Sequence, residues 1–248
     1  MARSAAVPLV LIHGVGLDHT MWREVMAALP QRRTMTYDML GHGNAAKPPG
    51  PHALGMFVEQ LANIVNVLER DIDLVGFSMG ALVAQGYALS SGGRHIRRMV
   101  LLNGVHDRSA GERQAIVDRV AEVRAGGFAD SVEPALQRWF TPAFAAAHPA
   151  TIASIRRRLL SNDVRAYADA YEVFATADAD LAHRVAGIAV PTLVVTGGDD
   201  QRSTPAMAAA LAATLPHGES MIMPGLRHLT PIEAPEKVAQ LIDEFTAA

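Results

Sequence analysis

The stretch LVGFSMGALVAQ, residues 74–85, places a single serine between two glycines in an otherwise apolar run. Gly76 and Gly80 each lie two positions from Ser78. Residues 72–77 predict a buried strand and residues 79–89 predict a helix that follows it almost without a loop. A serine on such a tight turn has a strained backbone, and flanking glycines let the strand end pack against the helix start. We therefore predict that Ser78 is a nucleophile, with the positive end of a helix dipole behind its hydroxyl group.

The rest of the chain alternates short apolar runs with helical patterns. The runs predict six strands, at residues 7–12, 34–37, 72–77, 98–102, 192–196 and 220–223. Helical spacing of apolar residues predicts helices at 54–68, 79–89, 205–215 and 235–246, and an amphipathic stretch at 21–29. Strands separated by helices favour parallel pairing with helices on both faces of the sheet. The predicted fold class is therefore α/β, with a mostly parallel sheet.

One long segment breaks this alternation. Residues 108–185 contain no convincing strand, only alanine- and arginine-rich sequence with helical character. We interpret this segment as a helical cap inserted into a core formed by residues 1–107 and 186–248. In an open α/β sheet ligands bind at the carboxyl ends of the strands, so we expect the cap to cover that edge.

Composition excludes several classes of function. The 248 residues include no cysteine, which removes disulfides, thiolate catalysis and cysteine-ligated metals. A net charge of −3 gives no indication of a nucleic-acid or anionic-membrane partner. No apolar run approaches the roughly 20 residues of a membrane span, and the amino terminus does not match a signal peptide. We therefore expect a cytoplasmic protein.

A serine nucleophile needs a base and an acid that orients the base. His228 lies just after the last predicted strand and before the last helix, which favours it as the base. Asp199 and Asp200 both follow the fifth strand; we prefer Asp200, Asp199 remains open, and Asp107 is a more distant candidate.

Two backbone N–H groups are also needed for the oxyanion of the reaction. The amide of Met79 directly follows the nucleophile, and Val15 lies in the HGVG loop after the first strand, where glycines allow close approach to a substrate. His13 and His42 precede the serine, and we interpret them as residues that shape loops or line the pocket. No residue is assigned to a metal or cofactor site.

The predicted cap contains candidate specificity residues. Trp139 and Phe140 are candidates for the substrate pocket, or they anchor the cap on the core. Arginines 156, 157 and 158 cannot all face one pocket, because consecutive helical positions are about 100° apart. A solvated helix face is the usual explanation of such a run, although one of these arginines or Arg138 could bind a substrate carboxylate.

Together these motifs resemble the α/β-hydrolase superfamily over nearly the whole chain. The resemblance rests on the sequence motifs LVLIHGVGLDHTMW, YDMLGHG, LVGFSMGALVAQ, LVVTGGDD and PGLRHLTPIEAPE. The cap phrase RWFTPAF is similar to the 3-oxoadipate enol-lactonase branch, which neighbours small carboxylesterases. The resemblance implies an eight-stranded core sheet, a helical cap, no cofactor and Ser–His–Asp acyl chemistry.

The chain departs from the family pattern in two places. Members usually carry a strand hairpin before the first strand found here, but only six residues precede Val7. Without that hairpin, residues 34–37 would form an edge strand able to pair with a second copy of the chain, giving a homodimer. An extra residue between the glycine–acid segment and Pro205 is the reason that Asp199 remains open.

The expected activity is cleavage of a small ester or lactone through an acyl-enzyme, with a small-molecule acyl substrate. A serine in place of an aspartate at position 78 makes dehalogenase and epoxide hydrolase chemistry less expected. Three alternatives stay open: carbon–carbon hydrolysis of a β-diketone-like compound, cofactor-free perhydrolysis, and a hydrolase-like receptor for a small molecule.

Overall fold

The computed structural model describes residues 7–68 and 71–247. They contain one six-stranded sheet in which every pair of neighbouring strands is parallel, in the order β2-β1-β3-β4-β5-β6. The strands are β1 Leu9–Ile12, β2 Thr34–Tyr37, β3 Ile72–Phe77, β4 Ile96–Leu102, β5 Thr192–Gly197 and β6 Gly218–Met223. The fold is that of an α/β protein, as predicted.

Helices cover both faces of the sheet. They are α1 Arg23–Ala27, α2 Leu54–Leu68, α3 Met79–Ala88, α4 Ala110–Glu122, α5 Phe128–Trp139, α6 Pro142–Ala147, α7 Pro149–Leu160, α8 Val164–Ala182, α9 Pro205–Thr214, α10 Thr230–Glu233 and α11 Pro235–Ala247. Successive side chains of a strand point to opposite faces. Accordingly Val10 and Leu74 lie in one hydrophobic cluster, whereas Leu11 and Val75 lie in the other. Burial on both faces explains why the central strands are continuously apolar rather than alternating.

Several element boundaries differ from the prediction, including the start of β6, which lies at Gly218 instead of residue 220. Strand β1 begins at Leu9 instead of residue 7, and β4 begins at Ile96, two residues early, across a bulge opposite β3. The early start places Arg97 beside the fully buried Asp73 of β3, with 2.7 Å between Nη2 and Oδ2. A charged side chain therefore occupies a strand position that apolar patterning does not reveal. The amphipathic stretch at 21–29 forms only a 3₁₀ turn and the short helix α1.

The implied eight strands are not found in the described residues, which hold six. Residues 7 and 8 lead directly into β1, and any hairpin within residues 1–6 lies outside the described part of the chain. Strand β2 lies at one edge of the sheet, and β1 is its partner there. All four of its residues are half-buried.

Between β4 and β5 the chain forms the five helices α4 to α8 and a π-helical turn at Val123–Gly127. An ion pair joins the entry to this helical segment with its last helix: the Arg108 guanidinium donates to Oδ1 of Asp178 at 2.7 Å, and both side chains are almost fully buried. Residues of α4, α5 and α8 face the end of β3 across a cavity. The segment therefore lies over the carboxyl ends of the strands. Among the helices described, none is long and apolar enough to cross a membrane.

Candidate active site

Ser78 occupies the sharp turn between β3 and α3. Its φ of 53° and ψ of −113° lie outside the regions that side chains ordinarily adopt. A Cβ at Gly76 would overlap the Gly80 carbonyl oxygen, and a Cβ at Gly80 would lie 2.6 Å from the carbonyl oxygens of Ile12 and His13. The two glycines thus allow strand, turn and helix to pack this closely. The Ser78 side chain does not cap α3, so its hydroxyl is free to face the cavity that it lines.

Two loops from distant parts of the chain meet this serine. His228 follows β6, and its Nε2 lies 3.3 Å from Oγ of Ser78. Its Nδ1 lies 2.7 Å from Oδ2 of Asp200, which follows β5. Because a carboxylate only accepts, Nδ1 carries the proton and Nε2 is left to accept one from the serine. This is the geometry of a nucleophile, its base and an orienting acid.

Asp200 is buried and surrounded by donors. Its Oδ1 accepts from the backbone N–H groups of Arg202 and Ser203, both at 3.0 Å, and its Oδ2 accepts from the amide of Asn103 at 3.0 Å. Burial acts to raise the pKa of the Asp200 carboxyl. The charge and hydrogen bond of His228, with the bonds from Arg202 and Asn103, outweigh that effect and lower the pKa below its ordinary value. The carboxylate is therefore held in its ionised form.

The other two candidate acids lie elsewhere. Asp199 and Asp107 are both exposed, in contrast to Asp200. The backbone N–H of Asp199 donates to Leu226 at 2.9 Å, which ties down the loop next to Asp200. The structure therefore brings Asp200, and neither of these, to the histidine.

The predicted oxyanion donors flank the nucleophile. Met79 is the first residue of α3, so its N–H has no partner within the helix. Val15 lies in the turn after β1 and lines the same cavity as Ser78. Within residues 7–68 and 71–247, neither N–H donates a hydrogen bond to the protein. Both N–H groups therefore lack a protein acceptor, one on a residue that lines the cavity and the other directly after Ser78 in the chain.

His13 does not line the cavity, contrary to the prediction that placed it in the substrate pocket. It is fully buried: Nδ1 donates to the Gly14 carbonyl at 2.8 Å, and Nε2 accepts from the Met39 N–H at 2.9 Å. Its ring contacts that of His42, which is also fully buried. Burial lowers the pKa of His13 to about 4 and that of His42 to about 3. Both residues are therefore neutral loop-shaping groups.

The cavity beside Ser78 comprises about 960 Å³ including its open mouth. Trp139 lines it, with its ring centroid 6.2 Å from that of His228. Phe140 does not line it. Its side chain is 2% exposed and stacks on Phe144, with 5.4 Å between the ring centroids. Phe140 therefore anchors the helical segment on the core, which corrects its assignment to the pocket.

Positive charge dominates the wall of the cavity. Its lining includes four arginines, Arg108, Arg119, Arg138 and Arg202, of which Arg108 is paired with Asp178, whereas its carboxylates are Asp200 and Glu112. Glu112 is already bonded to Ser109 in a capping box at the start of α4. Arg138 makes no hydrogen bond or ion pair within the described part of the chain. Burial, followed by the charge of Arg119, lowers the pKa of its guanidinium, which stays cationic at neutral pH.

Three of these arginines, Arg108, Arg119 and Arg202, were not identified from the sequence. None of the three consecutive arginines at 156–158 lines the cavity. Arg156 pairs with Glu133 on the surface, Arg157 is exposed, and Arg158 binds Asp18. Arg119 lies three residues after Ile116, a buried residue of the same helix, so the two share one helix face. This spacing was the sequence signal that could have placed Arg119 at the cavity. In the described residues no group of three or more His, Asp or Glu side chains is placed to hold a metal ion.

A model of the alpha/beta hydrolase family matches residues 9–241. The chain belongs to this family. It is similar to (E)-2-((N-methylformamido)methylene)succinate hydrolase of Acinetobacter baylyi, with 33% identity over 242 residues, 96% of this chain and 89% of that protein. It is also similar to 3-oxoadipate enol-lactonase 2 of the same organism, with 26% identity over 92% of this chain and 84% of that protein.

A solved structure of an enol-lactonase has the same fold as this chain. The crystal structure of the enol-lactonase from Burkholderia xenovorans LB400 superimposes with a TM-score of 0.90 and 27% identity. The match covers 100% of this chain and 94% of that one. These findings confirm both the predicted fold and the resemblance to the family.

Proposed function

We propose that this protein is a serine hydrolase that cleaves a small ester or lactone through an acyl-enzyme intermediate. The observation that carries the proposal is the continuous chain of contacts from Ser78 through His228 to Asp200. Two unbonded N–H groups beside the serine, those of Val15 and Met79, support acyl chemistry in particular. The enol-lactonase relatives support the ester or lactone class.

In the proposed mechanism Oγ of Ser78 attacks the acyl carbon while Nε2 of His228 takes its proton. Asp200 keeps the imidazole in the required tautomer and stabilises its cation. The N–H groups of Val15 and Met79 form an oxyanion hole for the tetrahedral intermediate. The histidine then gives the proton to the leaving oxygen. Water attacks the acyl-enzyme, its proton passes to His228 and on to Ser78, and the acid is released.

The substrate in this proposal carries a free carboxylate group. Arg138 and Arg119 line the cavity together, and Arg138 lacks an acid partner in the described residues. A half-buried guanidinium is well suited to bind a carboxylate through two parallel hydrogen bonds. The names of two relatives contain the anions of dicarboxylic acids, succinate and 3-oxoadipate, which supports the same class.

A second candidate is amide cleavage, which one relative favours. The name of the substrate of the Acinetobacter succinate hydrolase includes an N-methylformamido group, and an amide carbonyl is also an acyl carbon. Carbon–carbon hydrolysis and perhydrolysis would use the same serine. Analysis of the products separates these reactions from ester cleavage, and repeated turnover separates all of them from a receptor that only binds.

The central experiment combines labelling with turnover. A fluorophosphonate should modify Ser78, located by mass spectrometry, and Ser78→Ala should abolish both the labelling and the hydrolysis of p-nitrophenyl acetate. Labelling of another residue, or a wild-type protein that turns over no activated ester or lactone, would contradict the proposal.

The carboxylate preference is tested with a pair of esters. We expect Arg138→Gln to lower kcat/KM for mono-p-nitrophenyl succinate about 10- to 100-fold, because a charge-assisted hydrogen bond is lost. Activity on neutral p-nitrophenyl butyrate should change by less than about threefold. Arg157→Gln, which removes an exposed arginine outside the cavity, is the matched control. Equal losses on both esters would argue against carboxylate recognition by Arg138.

A further inference from the structure

The loop at residues 13–18 lies between the sheet and the helical segment above it. On the sheet side, Gly14 packs so closely on Phe77 that a Cβ would lie 2.9 Å from its ring. Inside the loop, the Leu17 N–H donates to the Gly14 carbonyl at 3.2 Å. The same carbonyl accepts from Nδ1 of His13 at 2.8 Å. The Gly14 carbonyl shares its planar peptide unit with the Val15 N–H, so these two bonds orient that N–H.

On the other side, a buried side chain of the helical segment donates a hydrogen bond to the loop. Asn162, which follows α7, donates from Nδ2 to the Gly16 carbonyl at 2.8 Å and to the Leu159 carbonyl at 2.9 Å. Its Oδ1 accepts from the Arg158 guanidinium at 2.8 Å. Asn162 is 8% exposed, so few waters are available to replace it. A lost bond to Gly16 would leave a buried carbonyl without its partner.

Two planar peptide units connect the hydrogen bond of Asn162 with the Val15 N–H. The Gly16 carbonyl and the Leu17 N–H belong to one unit, and the Gly14 carbonyl and the Val15 N–H belong to another. The Leu17 N–H joins the two units through its bond to Gly14. Fixing the Gly16 carbonyl therefore restricts the plane of the peptide that presents the Val15 N–H.

Close packing and an ion pair also hold the loop against the helical segment. Gly16 has a φ of +77°, and a Cβ there would lie 2.9 Å from both Leu159 and Tyr167. The backbone of the loop therefore lies directly against α7 and α8. At the far end of the loop, Arg158 donates to Oδ2 of Asp18 at 3.1 Å.

We infer that Asn162 is a positioning residue for the oxyanion hole, through which the helical segment sets the orientation of the Val15 N–H. This inference rests on the proposed function, in which that N–H stabilises the tetrahedral intermediate. The two N–H groups of the proposed oxyanion hole, those of Val15 and Met79, are therefore held in place in different ways. The Met79 N–H is fixed by helix α3 of the core, whereas the Val15 N–H depends both on bonds within its own loop and on a contact from outside the core. Lifting α7 from the loop would weaken transition-state stabilisation even with Ser78, His228 and Asp200 unmoved.

The test uses Asn162→Asp, which keeps the size of the side chain and an acceptor for Arg158 but removes the donor to Gly16. Asn162→Ala is the second variant, in case the carboxylate disturbs the fold. We expect kcat for p-nitrophenyl acetate to fall about 10- to 100-fold, somewhat less than the loss of an oxyanion donor itself. The inhibition constant of a trifluoromethyl ketone, whose adduct carries an oxyanion, should rise by the same factor. Binding of the uncleaved ester in a Ser78→Ala background should stay within about threefold.

Arg156→Ala is the control on the same helix, because Arg156 pairs with Glu133 away from the loop. It should leave the rate and the inhibition constant unchanged, and thermal unfolding of every variant should show that it is folded at the assay temperature. If Asn162→Asp and Asn162→Ala both keep the wild-type rate and inhibition constant, the inference is wrong. Losses that appear only in ester binding would overturn it too. A wild-type protein that neither turns over esters nor reacts with a fluorophosphonate would instead remove the proposed function, and the inference with it.

Discussion

The side-chain amide of Asn103 donates to Oδ2 of Asp200 at 3.0 Å, the same oxygen that accepts from Nδ1 of His228. Asn103 directly follows β4 and has a φ of 49°, a left-handed conformation that asparagine tolerates better than most residues. Its Oδ1 accepts in turn from the hydroxyl group of Thr230, the first residue of α10, which directly follows the loop that carries His228. One asparagine thus links the acid and the loop of the base.

This link predicts the effect of Asn103→Ala. Removing a donor to the Asp200 carboxylate should raise the pKa of that carboxyl. Because Asp200 and the base it contacts titrate as a coupled pair, the acid limb of the kcat/KM profile should move to higher pH. The rate at neutral pH should fall about tenfold, and the free energy of unfolding should fall by about 1–3 kcal/mol through the lost bonds and the positive φ. A stability loss with an unmoved acid limb would mean that Asn103 is structural only.

The adjacent aspartates provide a matched pair of variants. Asp200→Ala should lower kcat by about three to four orders of magnitude, because His228 loses the partner that fixes its tautomer. Asp199→Ala should stay within about twofold of wild type, because this exposed side chain does not reach the histidine. Steady-state kinetics on one activated ester suffices. A larger loss for Asp199→Ala than for Asp200→Ala would reverse the assignment.

The buried pair His13 and His42 predicts a loss of stability in mild acid. In the unfolded chain these side chains bind protons near pH 6.5, whereas in the folded protein their pKa values are about 4 and about 3. The unfolded state therefore takes up more protons between these limits, and the free energy of unfolding falls as the pH drops from about 6.5 to about 4. Each histidine contributes a slope of up to about 1.4 kcal/mol per pH unit.

Urea unfolding at intervals between pH 7.5 and pH 5 measures this slope. His42→Asn removes one of the two titrating groups, so its slope should be clearly shallower than that of the wild type, whatever its absolute stability. Identical slopes for the two proteins would show that the pair does not control the acid sensitivity of the fold.

The edge position of β2 leads us to propose that two copies of the chain pair through this strand. Leu9 donates to the Arg33 carbonyl, so the parallel ladder directs the backbone groups of Thr34 and Thr36 away from β1. A dimer should sediment at micromolar concentration, and Thr36→Pro should convert it to a monomer by removing an outward N–H. A wild-type monomer under these conditions would exclude the pairing.

Short-range pattern was sufficient to predict the core of the site. The turn at Ser78, the strand that precedes it and the loop that carries His228 are each specified by residues close together in the chain. Position 103 gave no such signal, and among the cavity arginines only Arg138 was a candidate from the sequence. Asn103 meets Asp200 across 97 positions of sequence, and Arg119 and Arg138 reach one cavity from different helices. Only the packing of helices against the sheet brings such residues together, and periodicity does not specify it.

Ser78, Asp200 and His228 all lie outside the helical segment between β4 and β5, whereas Arg119 and Arg138 lie within it. In the proposed function, bond breaking and substrate choice are thus encoded in separate stretches of the gene. On this proposal, a mutant library confined to the helical segment would redirect substrate choice without rebuilding the chemical step. Such a library would have to retain Asn162 and Leu159, because both residues contact the loop at residues 13–18 beside Ser78.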